Sequence, residues 1–335
     1  MSVPLLEVSG LAVGFDSDDG PVHAVNDISF TLEEGEALAI VGESGSGKSV
    51  TALSIMGLVP RPPGRIDGGS VRFRGRELLG APERELRRVR GREIAMVYQD
   101  PMSSLNPGLT IGRQLGDVIS HHLGLERREV AERAIELLTL VGIPNAAGRL
   151  GDHAHQFSGG QRQRILIALA LSCDPAVLIA DEPTTALDVT VQAQIIELVK
   201  GLRERLGMAI IWITHDLGVV AGLVDKVAVM YGGYAVEQAP VRELFARPSH
   251  PYTVGLLRSL PTLGGERRRL TPIPGSPPHG APRIDACPFA PRCDWVIERC
   301  RQEFPELAAV GCEHGAACHR RDEVRDAPTI VDAAS

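Results

Sequence analysis

Hydrophobic positions follow several distinct rhythms along this chain. Three short runs are apolar at every position: Ala37–Val41 (ALAIV), residues 176–180 (AVLIA) and residues 208–213 (MAIIWI). Such runs predict parallel strands buried on both faces. Residues 4–15 alternate weakly between apolar and polar and predict an edge strand. Residues 226–230 and 234–236 flank Gly232-Gly233 and predict two short strands around a glycine turn. Between residues 101 and 157 the apolar spacing becomes three and four, which predicts a helical insertion with helices over Ile111–Leu123 and residues 128–141. Residues 241–245 and 251–259 also predict helices. A strand, a Gly-rich loop and a helix follow one another over residues 40–56, the opening of a βα unit. The fold class expected is α/β.

Seven of the twenty residues 272–291 are proline, which breaks regular structure and predicts an irregular linker or extension. Five of the six cysteines follow, between Cys287 and Cys318. The final dozen residues are expected to be mobile. No internal repeat is present, which excludes a solenoid.

Composition narrows the classes. The 335 residues are 44% hydrophobic and 23% charged, so a sizeable core is possible and wholesale disorder is excluded. With 35 basic against 42 acidic residues the net charge is −7, which argues against binding nucleic acid by phosphate neutralisation. No apolar run approaches the ~18 residues of a membrane span. The start, MSVPLLEVSG, has neither the basic residues nor the apolar stretch of a signal peptide, so a cytoplasmic chain is expected. Clustered cysteines in that compartment point to metal or redox chemistry before disulfides.

The first candidate chemistry is a phosphate loop. Gly42, Glu43, Ser44, Gly45, Ser46, Gly47, Lys48 and Ser49 spell G-x4-G-K-S after a buried strand and before a helix that continues through Val50. Glycines let backbone N–H groups close on phosphate oxygens, and the helix N-terminus adds positive potential. Lys48 suits the β- and γ-phosphates, and the Ser49 hydroxyl suits Mg²⁺. The second candidate is V-L-I-A-D-E over residues 177–182, where a strand ends in two acids. The carboxyl ends of parallel strands are where open α/β sheets bind ligands. Asp181 suits a Mg²⁺-holding role and Glu182 the polarisation of an attacking water.

A third string, QFSGGQRQR (residues 156–164), contains S-G-G-Q. Its Ser158 and Gln161 fit a capping box for a helix running from Gly159 towards Ser172. With Tyr98-Gln99-Asp100, Thr185-Ala186-Leu187-Asp188 and Ile213-Thr214-His215-Asp216, the ordered set resembles the ATP-binding subunit of ABC transporters over roughly residues 5–245. The resemblance implies a P-loop NTPase (RecA-like) core with an antiparallel β edge and a helical subdomain. It implies an ATPase coupled to transport, with ATP and Mg²⁺ as cofactors. Residue by residue, Phe15 would stack on adenine, Gln99 would touch Mg²⁺ and water, and Ser158, Gly159, Gly160 and Gln161 would meet the γ-phosphate held by a second ATPase subunit. Asp188 would link the two halves, and His215 would contact the γ-phosphate. Glu182, His215 and Lys48 carry the catalysis in this analogy. Two subunits would sandwich two ATP molecules, and tighter closure on ATP than on ADP would drive the conformational change. Phe157 stands where many relatives carry leucine, an apolar exchange.

The tail strings Y-T-V-G-L-L-R-S-L-P, I-P-G-S-P-P and C-P-F-A-P-R-C, with H-P-Y-T at residues 250–253, resemble the oligopeptide/dipeptide subfamily, which imports peptides, nickel and related solutes. The resemblance implies a core over residues 1–250, with its helical subdomain at about 101–165, and an extension over 251–335. It implies two membrane permeases and an extracytoplasmic solute-binding protein as partners, and a peripheral place on the cytoplasmic face of the membrane. Some members carry an iron–sulfur cluster on four tail cysteines. The matching positions are Cys287, Cys293, Cys300 and Cys318, and four thiolates suit a 4Fe–4S cube or a tetrahedral Zn²⁺. The wide C-x5-C-x6-C spacing favours the cluster. Cys312 departs from the pattern, as a substitute ligand or a free thiol. Cys173 is expected to be a small buried apolar residue.

Three other readings fit less well. A soluble ABC ATPase acting on nucleic acid or the ribosome would usually carry two modules or long coiled coils. A non-catalytic subunit would lack intact Lys48, Glu182 and His215. An exporter would lack the peptide-type tail. The charge run over residues 83–92 (ERELRRVRGR) reads as a solvated helix face, with a membrane-subunit or lipid contact as its alternative.

Overall fold

In this computed structural model, residues 3–18, 20–100, 104–185, 187–260, 272–278 and 285–327 are described. The chain divides into two compact units, one drawn from Met1–Leu32, Ala37–Leu79 and Thr214–Ser335, the other from Glu33–Glu36 and Gly80–Ile213.

The first unit contains an antiparallel sheet of β1 (Leu6–Ser17), β2 (Gly20–Leu32), β4 (Gly64–Phe73) and β5 (Arg76–Glu77), in the order β2-β1-β4-β5. The expected edge strand is therefore an inner one: β1 pairs with β2 from Leu6↔Leu32 onward and with β4 from Leu6↔Phe73 onward. Alternation reports which face is buried, here through Leu6, Val8, Leu11 and Val13. It does not report whether both backbone edges are hydrogen-bonded.

In the same unit β3 (Ala37–Val41), buried at every residue, lies parallel to β9 (Lys226–Tyr231). The expected hairpin forms: β9 turns through Gly232 and Gly233, with φ of 56° and 86°, into antiparallel β10 (Tyr234–Pro240). Two positive φ values suit a tight primed turn, which glycine enters without a Cβ clash. The C-terminal extension is more regular than its prolines predict. Its strands β11 (Ala308–Gly311) and β12 (His314–Ala316) pair with each other, and β12 adds to β10. Residues 272–278 form no helix or strand and Ala290–Arg292 make a short 3-10 turn; 279–284 of the linker lie outside the described residues, as do 328–335 of the tail expected to be mobile. The expected helices appear as Val241–Ala246 and Pro251–Arg258.

The second unit holds β6 (Ile94–Val97), β7 (Val177–Asp181) and β8 (Ala209–Thr214, to Ile213 in this unit), all parallel, with Ile94↔Val177 and Val177↔Ala209 in register. β7 and β8 are buried at every residue. The helical insertion is present as Ile111–Leu123 and Arg127–Leu140; its first residues, 101–103, lie outside the described residues. Thr110 caps Ile111–Leu123 by accepting from the Arg113 N–H, and Gly124 ends it at φ 65°. Its buried stripe is Ile111, Leu115 and Ile119, one residue per turn. No helix among the described residues is long and apolar enough to cross a membrane.

Candidate functional site

In the first unit, β3 delivers the loop of residues 42–47 to the helix Lys48–Ile55. Gly47 precedes that helix at φ 97°, and a Cβ there would fall on the Ala24 carbonyl oxygen; one on Gly42 would fall on the Met230 carbonyl oxygen. Both positions demand glycine on steric grounds. Lys48 is buried, and its Nζ donates to the carbonyls of Gly42 (2.8 Å) and Glu43 (3.0 Å). The two carbonyls replace water around a buried ammonium. The Ser46 hydroxyl is buried with no hydrogen-bond partner among the described residues, as befits a loop built to meet an external group. Phe15, half-buried on β1, pairs with Val22 and Gly64. His215 is exposed just beyond β8, where Asp216 caps the turn Leu217–Val220.

In the second unit, β7 ends at buried Asp181 and leads into Glu182, whose φ of 45° is left-handed. A non-glycine residue held there marks a place where function outweighs backbone comfort. Glu182, half-buried, is held at its backbone and at one carboxylate oxygen. Its N–H donates to the Ile213 carbonyl (2.9 Å), and its Oε2 accepts from Gln99 Nε2 (3.1 Å) and Thr185 Oγ1 (2.8 Å). The structure thus brings Gln99 and Glu182 together, 83 residues apart. Thr185 stands in the sequence only as the head of the T-A-L-D motif, with no role assigned; the signal for its contact is a hydroxyl three residues after the acid.

The capping box forms as expected. Ser158 Oγ accepts from the Gln161 N–H (3.3 Å), Gln161 Oε1 accepts from the Ser158 N–H (3.1 Å), and the helix Gly159–Ala170 follows. Ser158 and Gly159 are exposed, and a Cβ on Gly160 would sit 2.6 Å from Val191 Cγ1. Phe157 is buried beneath the Arg149 guanidinium, 4.1 Å from its ring centroid. Exposed Asp188 caps the helix Val189–Leu206 by accepting from the Val191 N–H (2.9 Å); Ala186 of the same motif lies outside the described residues.

In the tail, Cys287, Cys293, Cys300 and Cys318 each lie within electrostatic reach of the other three, and Cys312 is exposed. Burial pushes the Cys287 and Cys293 thiols up to about 11 and that of Cys318 up to about 12. Among the described residues no group of three or more His, Cys, Asp or Glu side chains is arranged to hold a metal ion, so neither the expected cluster nor its zinc alternative gains support. Cys173 is buried, as a small apolar residue would be. The charge run forms the helix Glu83–Val89, whose Arg87 pairs with Glu83 (3.2 Å) at the surface.

Sequence reasoning missed a group beside the phosphate loop. Arg292, between two tail cysteines, grips the Glu43 carboxylate with both Nη atoms (2.6 and 3.1 Å), and the Glu43 N–H donates to Tyr252 Oη (2.9 Å). No motif links these three residues along the chain.

Comparison with known proteins agrees with this geometry. Residues 25–185 match the family model "ABC transporter", and residues 236–300 match "Oligopeptide/dipeptide transporter, C-terminal region". A putative peptide import ATP-binding protein of Brucella melitensis is 49% identical over 332 residues, covering 96% of this chain and 98% of its own. One of Brucella abortus is 52% identical over 310 residues, covering 92% and 93%. Among solved structures, the dimeric post-hydrolysis state of the ATP-binding cassette MJ0796 with ADP and Pi superposes with a TM-score of 0.63 at 26% identity, over 71% of this chain and 99% of that one. The cbiO1 protein of Clostridium perfringens, part of the ABC transporter complex cbiONQ, gives 0.62 at 29% identity, over 72% and 91%.

Proposed function

The chain belongs to the ABC transporter family, in the group that carries the oligopeptide/dipeptide transporter C-terminal region, and on that premise we propose that it hydrolyses ATP to power the import of di- or oligopeptides. The observation that carries this reading is Glu182, at the carboxyl end of β7 in a strained conformation, with Gln99 and Thr185 on one carboxylate oxygen. A carboxylate held this way is prepared to orient a water and take its proton.

The residues divide the work. The loop amides of Gly45 and Gly47 and the charge of Lys48 bind phosphate oxygens, for which Lys48 exchanges its two carbonyl partners. Ser49, Asp181 and Gln99 are the donors suited to Mg²⁺, which neutralises phosphate charge when bound. Phe15 offers a face to adenine. His215 steadies the γ-phosphate. Exposed Ser158 and Gly159, with half-buried Gly160 and Gln161, face the nucleotide of a second ATPase subunit, and Asp188 serves that junction. The subunit then acts with a related ATPase chain, two permeases and a solute-binding protein, at the cytoplasmic face of the membrane. Cys287, Cys293, Cys300 and Cys318 are the donors for a 4Fe–4S cube, which when bound would tie the tail together. That the four thiols lie within electrostatic reach of one another supports this reading.

Reconstitution with the permeases and the binding protein tests it. Peptide-stimulated ATP hydrolysis and peptide uptake are expected together, and both should vanish in Glu182→Gln while ATP binding persists. Stimulation by Ni²⁺ and not by peptides would overturn the substrate class. Turnover with no dependence on permeases would overturn the transport role.

A further inference from the structure

The Arg292–Glu43 pair lies where an acid ought to be unwelcome. Glu43 is the second residue of a loop that must receive the polyanionic phosphate chain of ATP, and a bare carboxylate there would repel it. The Arg292 side chain is only 6% exposed, and all five of its N–H directions are used. Two go to Glu43, one to Tyr231 Oη (3.2 Å), one to the Pro274 carbonyl (2.7 Å) and one to the Ile273 carbonyl (3.3 Å). The fork is bidentate, the geometry only arginine supplies. Glu43 is meanwhile held by Tyr252 at its N–H and by Lys48 at its carbonyl. Its backbone and its charge are therefore set by residues far down the chain, Tyr252 on the helix Pro251–Arg258 and Arg292 in the cysteine-bearing tail.

We propose that Arg292 is a positioning residue for nucleotide binding: from the tail it neutralises Glu43 and holds the phosphate loop open to ATP. The tail thereby becomes part of the nucleotide site in cis, whatever solute the transporter carries. The inference rests on the reading of residues 42–49 as the ATP phosphate loop.

The charge argument has a signature that simple loss of packing lacks. Removing Arg292 alone exposes the carboxylate, whereas removing both charges does not. The experiment titrates the full-length protein with trinitrophenyl-ATP and Mg²⁺ at low and high salt, with melting temperatures as a control for folding. Arg292→Ala is expected to weaken binding by about ten-fold, less at high salt. Arg292→Gln, which keeps more of the side chain, is expected to do the same and serves if the alanine variant does not fold. Glu43→Gln combined with Arg292→Gln is expected to recover binding to within about three-fold of the unmodified protein. A double variant as weak as or weaker than Arg292→Gln overturns the proposal, as does Arg292→Gln binding with unchanged affinity. Lys48→Ala separates the two levels. If it binds as tightly as the unmodified protein, the phosphate-loop reading itself fails; if it alone loses binding, only the Arg292 proposal does.

Discussion

Glu237 Oε1 and His314 Nε2 meet at 2.8 Å, although 77 residues separate them and neither side chain is more than 1% exposed. The pair ties β12 of the tail to β10. The same carboxylate accepts the backbone N–H groups of Ser249 (2.6 Å) and His250 (3.0 Å), so it also fixes the approach to the helix Pro251–Arg258. On the far side of the ring, His314 Nδ1 faces Arg325 Nη1 at 3.2 Å. His314→Ala leaves a buried carboxylate one partner short. It should cost about 2–3 kcal/mol, seen as a lower urea midpoint, while the exposed Cys312→Ser should change stability by less than about 0.5 kcal/mol.

Glu182→Gln retains the side-chain shape and loses the base. Steady-state hydrolysis should fall by at least about 100-fold with ATP affinity nearly unchanged. Thr185→Ala removes one of the two side-chain donors on that carboxylate. It should lower kcat several-fold and leave KM alone, because Thr185 acts through Glu182. A raised KM at constant kcat would show that Thr185 contacts nucleotide.

Burial pushes the His250 imidazole down to about 3. Its Nδ1 must stay unprotonated to accept the Tyr252 N–H at 3.1 Å, the cap of the helix Pro251–Arg258. The unfolded chain binds this proton near pH 6.5 and the folded chain does not, so His250 contributes stability above pH 6.5 that is lost as pH falls towards 3. The loss approaches about 1.4 kcal/mol per pH unit well inside that window. His250→Asn keeps a cap acceptor and cannot titrate. Its denaturation midpoint should fall less steeply with acid than that of the unmodified protein, by about one proton's slope.

Anaerobic purification tests the cysteine knot. A broad visible absorption shoulder with about four iron atoms per chain is expected, lost in Cys300→Ser and kept in Cys312→Ser. One zinc and no iron would make the knot purely structural. Neither metal, in protein that still hydrolyses ATP, would remove the cluster from the account.

Gly42→Ala places a methyl group on the Met230 carbonyl oxygen, which β9 cannot move without breaking its pairing to β3. ATP binding should fall by more than about ten-fold, together with the melting temperature. A variant that melts normally and binds ATP normally would show that the loop relaxes.

The order of residues alone determined the parallel-strand runs, the phosphate loop, the acidic end of β7 and the Ser158–Gln161 cap. Each is local: a few neighbours set strand period, turn geometry or cap, and the chemistry reads directly from their spacing. Only the tertiary structure decided that β1 is an inner strand, since backbone edges carry no residue label. It alone joined Gln99 to Glu182, His314 to Glu237 and Arg292 to Glu43. Those pairs span 77 to 249 residues. Opposite charges in a chain this polar offer many combinations, and packing selects the few that are desolvated together. Arg292 in a proline-rich tail looks like any solvated arginine until the fold buries it against the phosphate loop.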